Sequence, residues 1–159
     1  MDTLTTELPE TCIEMRAASL YDLYEADEVA WLDEMSRLAA ENRTVEMDLV
    51  HLSEYLSDMA SRDRREVKSR LAVLLTHLLK WEFQPDRRSG SWQSTLIEQR
   101  SEILDIVSSR TLYNHGMAVL DDAYLIARRR AAAETELPIT AFPVTCGWTL
   151  DEIIADEME

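Results

Sequence analysis

The sequence predicts an all-α protein, a single-domain bundle of about five main helices with a short C-terminal helix, and three observations carry that expectation. Glycine (3) and proline (4) are scarce in 159 residues, and both are the residues a helix interior tolerates least. Apolar residues recur at three-and-four spacing in segment after segment, the period of one helical face. The breaks between those segments carry capping residues or proline rather than the alternation of strands. A chain of this length can bury about 70% of its unfolded surface, so a core needs neither disulfide nor metal.

Residues 1–18 mix acids, threonine and Pro9 without periodicity and are expected to form a loose arm, leaving 19–159 as the helical domain. The first helix is expected over Asp22 to Glu41, with Val29, Leu32, Met35 and Ala39 inward and Asn42 as its stop. Thr44 is a candidate cap for a second helix, whose Leu49, Leu52, Leu56 and Met59 keep the same spacing, with Tyr55 at the border of the stripe. The charged stretch Ser61 to Lys68 alternates in sign and reads as a solvated helical turn that starts a third helix or continues the second.

From Val67 the positions Leu71, Leu74, Leu75, Leu78 and Trp81, widened by Ala72, Val73 and Leu79, make most of the circumference apolar. Such a helix belongs in the middle of a core. Pro85 must end it, since the ring removes a donor and pushes Gln84 out of helical geometry. Ser91 is a candidate cap for a fourth helix carrying Trp92, Leu96, Ile103, Ile106 and Val107. Thr111 to Gly116 reads as a connection. A fifth helix follows with Val119, Leu120, Ala123, Tyr124 and Ala127; Pro138 and Pro143 bracket an extended stretch, and Thr149 can cap a short last helix with Ile153 and Ile154 inward.

Sixteen Lys and Arg stand against 31 Asp and Glu, a formal charge of −15. A surface this acidic repels phosphate backbones and anionic headgroups at long range, so nucleic acid is an unfavourable partner. The charge is uneven: residues 1–60 carry −12, residues 61–100 carry +4 and residues 101–159 carry −7. The longest near-apolar run, Leu71 to Leu79, falls far short of the roughly 20 residues a membrane span needs. No membrane association is expected. The start MDTLTTELPE lacks the cationic and apolar regions of a secretory signal, and Cys12 and Cys146 read as two reduced thiols, so a cytoplasmic location is expected.

Several blocks bear a resemblance beyond their periodicity: Leu20-Tyr21-Asp22 with Trp31, Leu71, Leu74 and Leu75 leading into His77-Leu78-Leu79-Lys80-Trp81, then Gln84-Pro85, Arg88-Ser89 and Ser91-Trp92. Thr95, Glu98-Gln99-Arg100, Ala123-Tyr124, Glu134-Thr135, Phe142-Pro143, Cys146 and Thr149-Leu150 continue it. In these the chain resembles the bacterial family of domain of unknown function twenty-nine, from Leu20 onward. It departs from that pattern at His51, where asparagine is usual, at Glu136, where glycine is usual, and at Gly147, where proline is common. The resemblance implies a small helical bacterial protein and brings no catalytic residue with it.

The candidate site is the corner that holds His77, Trp81, Arg87, Arg88 and Trp92. Arg87 and Arg88, followed by Ser89-Gly90-Ser91 and a helix start, could bind an anion, because guanidinium forks match phosphate or carboxylate and free N–H groups at a helix N-terminus add positive potential. Trp81 and Trp92 could supply stacking faces. The competing reading, that the arginines pair with acids and hold the helices together, is the stronger. His77 is likewise more readily a core histidine than a base or ligand. Asp48 and His51 have the i, i+3 spacing of one metal-binding pair, but a di-iron bundle needs two such pairs and two further carboxylates, so no metal or cofactor is expected. Arg128 to Arg130 point in directions about 100° apart and read as a solvated face.

The leading expectation for function is a non-enzymatic helical interaction protein, a possible homodimer, that recognises a protein partner or small anionic ligand through the Arg87–Trp92 corner. An enzyme using His77 near Arg88 and Trp92 is the alternative. Nucleic-acid association through residues 61–100 is a weaker one.

Overall fold

The computed structural model describes residues 20–155, and within them the protein has six helices and no strand. The expected arm over residues 1–18, with Cys12, lies outside the described residues. Helix α1 covers 20–26, α2 Glu28–Ala40, α3 Leu49–Phe83, α4 Gly90–Val107, α5 Arg110–Thr135 and α6 Leu150–Ile154. The all-α expectation holds, five longer helices and a short last one, although the five are not divided as expected. The chain forms two compact units, one ending at Met59 and one beginning at Ala60, so the boundary falls inside α3.

In the first unit the single helix expected over Asp22 to Glu41 is broken at Asp27. Its carboxylate accepts a 3.0 Å bond from the Ala30 N–H and caps α2, while its own N–H closes α1 on the Leu23 carbonyl. Asn42 stops α2 as expected. It adopts φ 57° and forms a Schellman ending, with Arg43 N–H on the Leu38 carbonyl and Asn42 N–H on that of Ala39. The buried stripe is Trp31, Met35 and Leu38, with Leu20 beside them. The expected Val29 and Ala39 are exposed instead, because the neighbouring register, also spaced by three and four, buries a tryptophan and a leucine and so removes more apolar area from water.

Residues Thr44–Glu46 form a 3₁₀ turn, not the start of a helix, and the cap of α3 is Asp48, whose Oδ1 accepts from the His51 N–H at 3.2 Å. His51, Leu52 and Tyr55 face the first core, so Leu49, Leu56 and Met59, expected inward, are exposed. Past this turn α3 runs 35 residues without a break. No glycine or proline occurs in it, and the charged stretch continues the helix, with Arg70 on Glu66 at i, i+4.

The second unit is built on the rest of α3. Val67, Leu71, Leu74, Leu75 and Leu79 are buried against Leu96, Ile103 and Val107 of α4, Ala123, Tyr124, Ala127 and Ala131 of α5, and Leu150 and Ile153 of α6. Ser89, not Ser91, caps α4, accepting the Trp92 N–H at 3.4 Å. The expected connection over Thr111 to Gly116 is the first part of α5, which follows α4 after only two residues. Gly116 serves packing inside α5: a Cβ there would lie 3.2 Å from Leu150 Cδ2. Thr149 caps α6 in a reciprocal capping box with Glu152.

Between the prolines the chain is extended around one 3₁₀ turn, Ile139–Ala141. Arg128 is not solvated as expected; its Nε donates to the Phe142 carbonyl at 3.2 Å and its Nη2 to that of Ile139 at 2.9 Å, pinning this segment to α5 with help from the Tyr124 hydroxyl on Pro143. Helix α5 ends at Glu136, which holds φ 60°. A side chain in the left-handed region costs about 1–2 kcal/mol, less the extra freedom glycine gives the unfolded chain. Glu136→Gly is therefore expected to stabilise the protein by about 0.5–1 kcal/mol, read as a rise in the urea midpoint with an unchanged slope.

Candidate functional site

Of the residues expected at the corner after α3, Arg88 and Trp81 are in contact, and by contacts that serve packing. The Trp81 carbonyl is one of the last four of α3 and has no partner within the helix. Arg88 supplies one, its Nε donating at 3.0 Å while its guanidinium lies 4.8 Å from the Trp81 ring centroid. Gln84 in turn donates to the Thr135 carbonyl at 3.2 Å and ties the corner to α5. Arg87 sits exposed on the 3₁₀ turn Pro85–Arg87 and makes no ion pair or hydrogen bond through its side chain among the described residues.

Lys80 organises this corner and was not among the expected site residues. It is 7% exposed, pairs with Glu134 of α5 at 2.6 Å, and carries its ammonium 4.5 Å from the Trp92 ring centroid. One cation thus joins α3, α4 and α5. The signal in the sequence was a lysine on the inner half of a nearly all-apolar helix, since lysine is almost never buried without a partner.

His77 is half-buried and its Nδ1 has no hydrogen-bond partner among the described residues. Burial first, and then the Lys80 charge, hold its pKa below the ordinary 6.5, partly opposed by Glu134. Because Lys80 and Glu134 are paired with each other, neither orients the ring as a base requires. Since the fold favours the neutral ring, the unfolded chain binds the extra proton, and stability falls as pH drops through and below about 6.5. His77→Gln is expected to flatten that fall between about pH 7 and pH 5, read from urea midpoints across the range.

Asp48 and His51 do meet, Oδ2 to Nδ1 at 2.5 Å, with Tyr24 stacked on the imidazole at 4.3 Å. The carboxylate is thereby used on both the ring and the start of α3. Among the described residues no group of three or more His, Cys, Asp or Glu is placed to hold a metal ion.

A second place was hidden in the charged stretch read as a solvated turn. Arg62, Arg65, Glu66, Ser69, Arg70 and Val73 of α3, with Gln99 of α4, line an open groove of about 510 Å³. Positions 62, 66, 69, 70 and 73 recur by three and four, so a continuous helix sets them along one face. Arg70 is held by Glu66 at 2.8 Å and by Glu102 of α4 at 3.2 Å. Arg62 and Arg65 have no ion-pair partner among the described residues. The signal was present, but legible only once α3 was known to be unbroken there.

A family model, domain of unknown function DUF29, matches residues 23–158. The chain belongs to the DUF29 family. The match takes in both units, the corner and the groove, and agrees with the resemblance read from the sequence. No curated protein and no solved structure matches the chain. What this DUF29 protein can bind is therefore read from its own side chains. Among the described residues no helix is long and apolar enough to cross a membrane.

Proposed function

We propose that this protein is a non-enzymatic helical binding protein that takes an anionic group of a ligand or partner into the groove formed by α3 and α4. The observation that carries the reading is that three arginines line one open groove, two of them, Arg62 and Arg65, without an ion-pair partner among the described residues, in a chain of net charge −15. Against that background a local positive site draws anions and leaves the rest of the surface repelling them. Ser69 and Gln99 add hydrogen-bonding groups beside the arginines. The corner keeps a secondary role: Arg88, Trp81 and Trp92 hold helix ends together, and Arg87 is the side chain there with a guanidinium to offer.

Nucleic acid is the weaker reading, since Glu66 and Glu102 interrupt the positive surface a backbone would follow. A cytoplasmic location accompanies the proposal, on the free thiol of Cys146 in a chain large enough to fold without disulfides. Titration calorimetry with pyrophosphate, citrate and a glutamate-rich peptide tests the groove. At least one is expected to bind, and Arg62→Ala with Arg65→Ala to weaken it about tenfold or more, as loss of charge-assisted bonds should. A panel that binds neither form, or both equally, rejects the site.

A further inference from the structure

We infer that the anion is an acidic peptide segment of a partner protein that also carries apolar side chains, an inference that rests on the groove being the binding site. The first argument is spacing. Along α3, Arg62 and Arg65 are about 4.5 Å apart in rise and Arg62 and Arg70 about 12 Å. An extended peptide advances about 3.3–3.6 Å per residue, so carboxylates one or two residues apart meet Arg62 and Arg65, the two arginines of the groove without an ion-pair partner among the described residues.

The second argument is the sign of what lies between the arginines. Glu66 lines the groove and, with Glu102, holds Arg70. A dense phosphate cluster would sit against these carboxylates at a cost, whereas a peptide can place an uncharged residue beside each of them. The third argument is composition along the length. From Arg62 to Val73 the lining covers about 16 Å of helix, room for about five extended residues, and passes from guanidinium through a serine hydroxyl to the apolar Val73. Gln99 on the opposite wall has both a donor and an acceptor, the pair a peptide backbone uses. Arginine clusters that read acidic motifs use the same division of labour.

Fluorescence anisotropy with the full chain tests this with four labelled probes: a peptide of alternating glutamate and leucine pairs, a polyglutamate of equal charge, tripolyphosphate, and a single-stranded oligonucleotide of equal charge. The mixed peptide is expected to bind at least about tenfold tighter than the other three and to lose about tenfold or more in Arg62→Ala/Arg65→Ala. Circular dichroism checks that this variant keeps its helices. In the charge-reversed Arg62→Glu/Arg65→Glu variant, a lysine–leucine peptide is expected to bind in its place. Equal or tighter binding of tripolyphosphate or the oligonucleotide overturns the inference and leaves an anion site standing. Equal binding of polyglutamate removes the apolar requirement and overturns it too. If no probe binds, the groove itself is rejected along with the inference.

Discussion

Leu74→Ala is expected to destabilise the protein by about 3 kcal/mol, whereas Leu56→Ala, the same change on the same helix, should stay within about 0.5 kcal/mol of wild type. Leu74 has no exposed surface and lies in the core shared with α4, α5 and α6. Truncation there removes the transfer energy of three heavy atoms and leaves a cavity that rigid neighbours refill only in part. Leu56 is 56% exposed, so little apolar area returns to water on truncation and no cavity opens. Urea unfolding followed by circular dichroism measures both, with the slope as a check that the unfolded states compare. A Leu56→Ala cost close to that of Leu74→Ala would show that the outer stripe of α3 is covered in solution.

That contrast marks where the sequence could be read and where it could not. The segment after Val67 has apolar residues around most of its circumference, so any register buries the same side chains, and its core and its end before Pro85 were legible. The segment Leu49 to Met59 offers two faces of similar strength. Leu49, Leu52, Leu56 and Met59 make the stronger apolar stripe by count, yet His51, Leu52 and Tyr55 are the ones turned to Trp31. Aromatic contact with the first core chose between them, and that core is built from α1 and α2, distant in sequence. A three-and-four pattern shows that a helix has a buried face without telling which of two it is.

Boundaries failed for a related reason. Serine, threonine and aspartate occur at several positions near each helix start, and only the one whose oxygen reaches an unpaired N–H becomes the cap. Asp27, Asp48 and Ser89 won over continuing helix, Thr44 and Ser91. Thr111 to Gly116 reads as a connection, yet it opens α5, which accepts a glycine costing about 1 kcal/mol relative to alanine where a Cβ would lie 3.2 Å from Leu150 Cδ2. The arginine groove was out of reach in the same way, because its face exists only if residues 60 to 70 are helical throughout.

Lys80→Ala is expected to cost about 2–3 kcal/mol, while Arg87→Ala should cost less than about 0.5 kcal/mol. Three losses add up in the first case. The four-carbon stem packs inside the corner, the ammonium leaves the Trp92 face, and Glu134 loses its partner. Glu134 is about half exposed, its side chain at 47%, so water compensates it and the loss stays below that of a fully buried pair. A double-mutant cycle separates the terms. Lys80 with Trp92 should show a coupling of about 1 kcal/mol that survives salt, since the ring face excludes water from the ammonium. Lys80 with Glu134 should show a similar coupling that shrinks as ionic strength rises, because one end of that pair is open to screening. Arg87 faces solvent and should couple to neither. If Arg87→Ala instead proves as costly as Lys80→Ala, the cation that holds α3, α4 and α5 together has been misassigned.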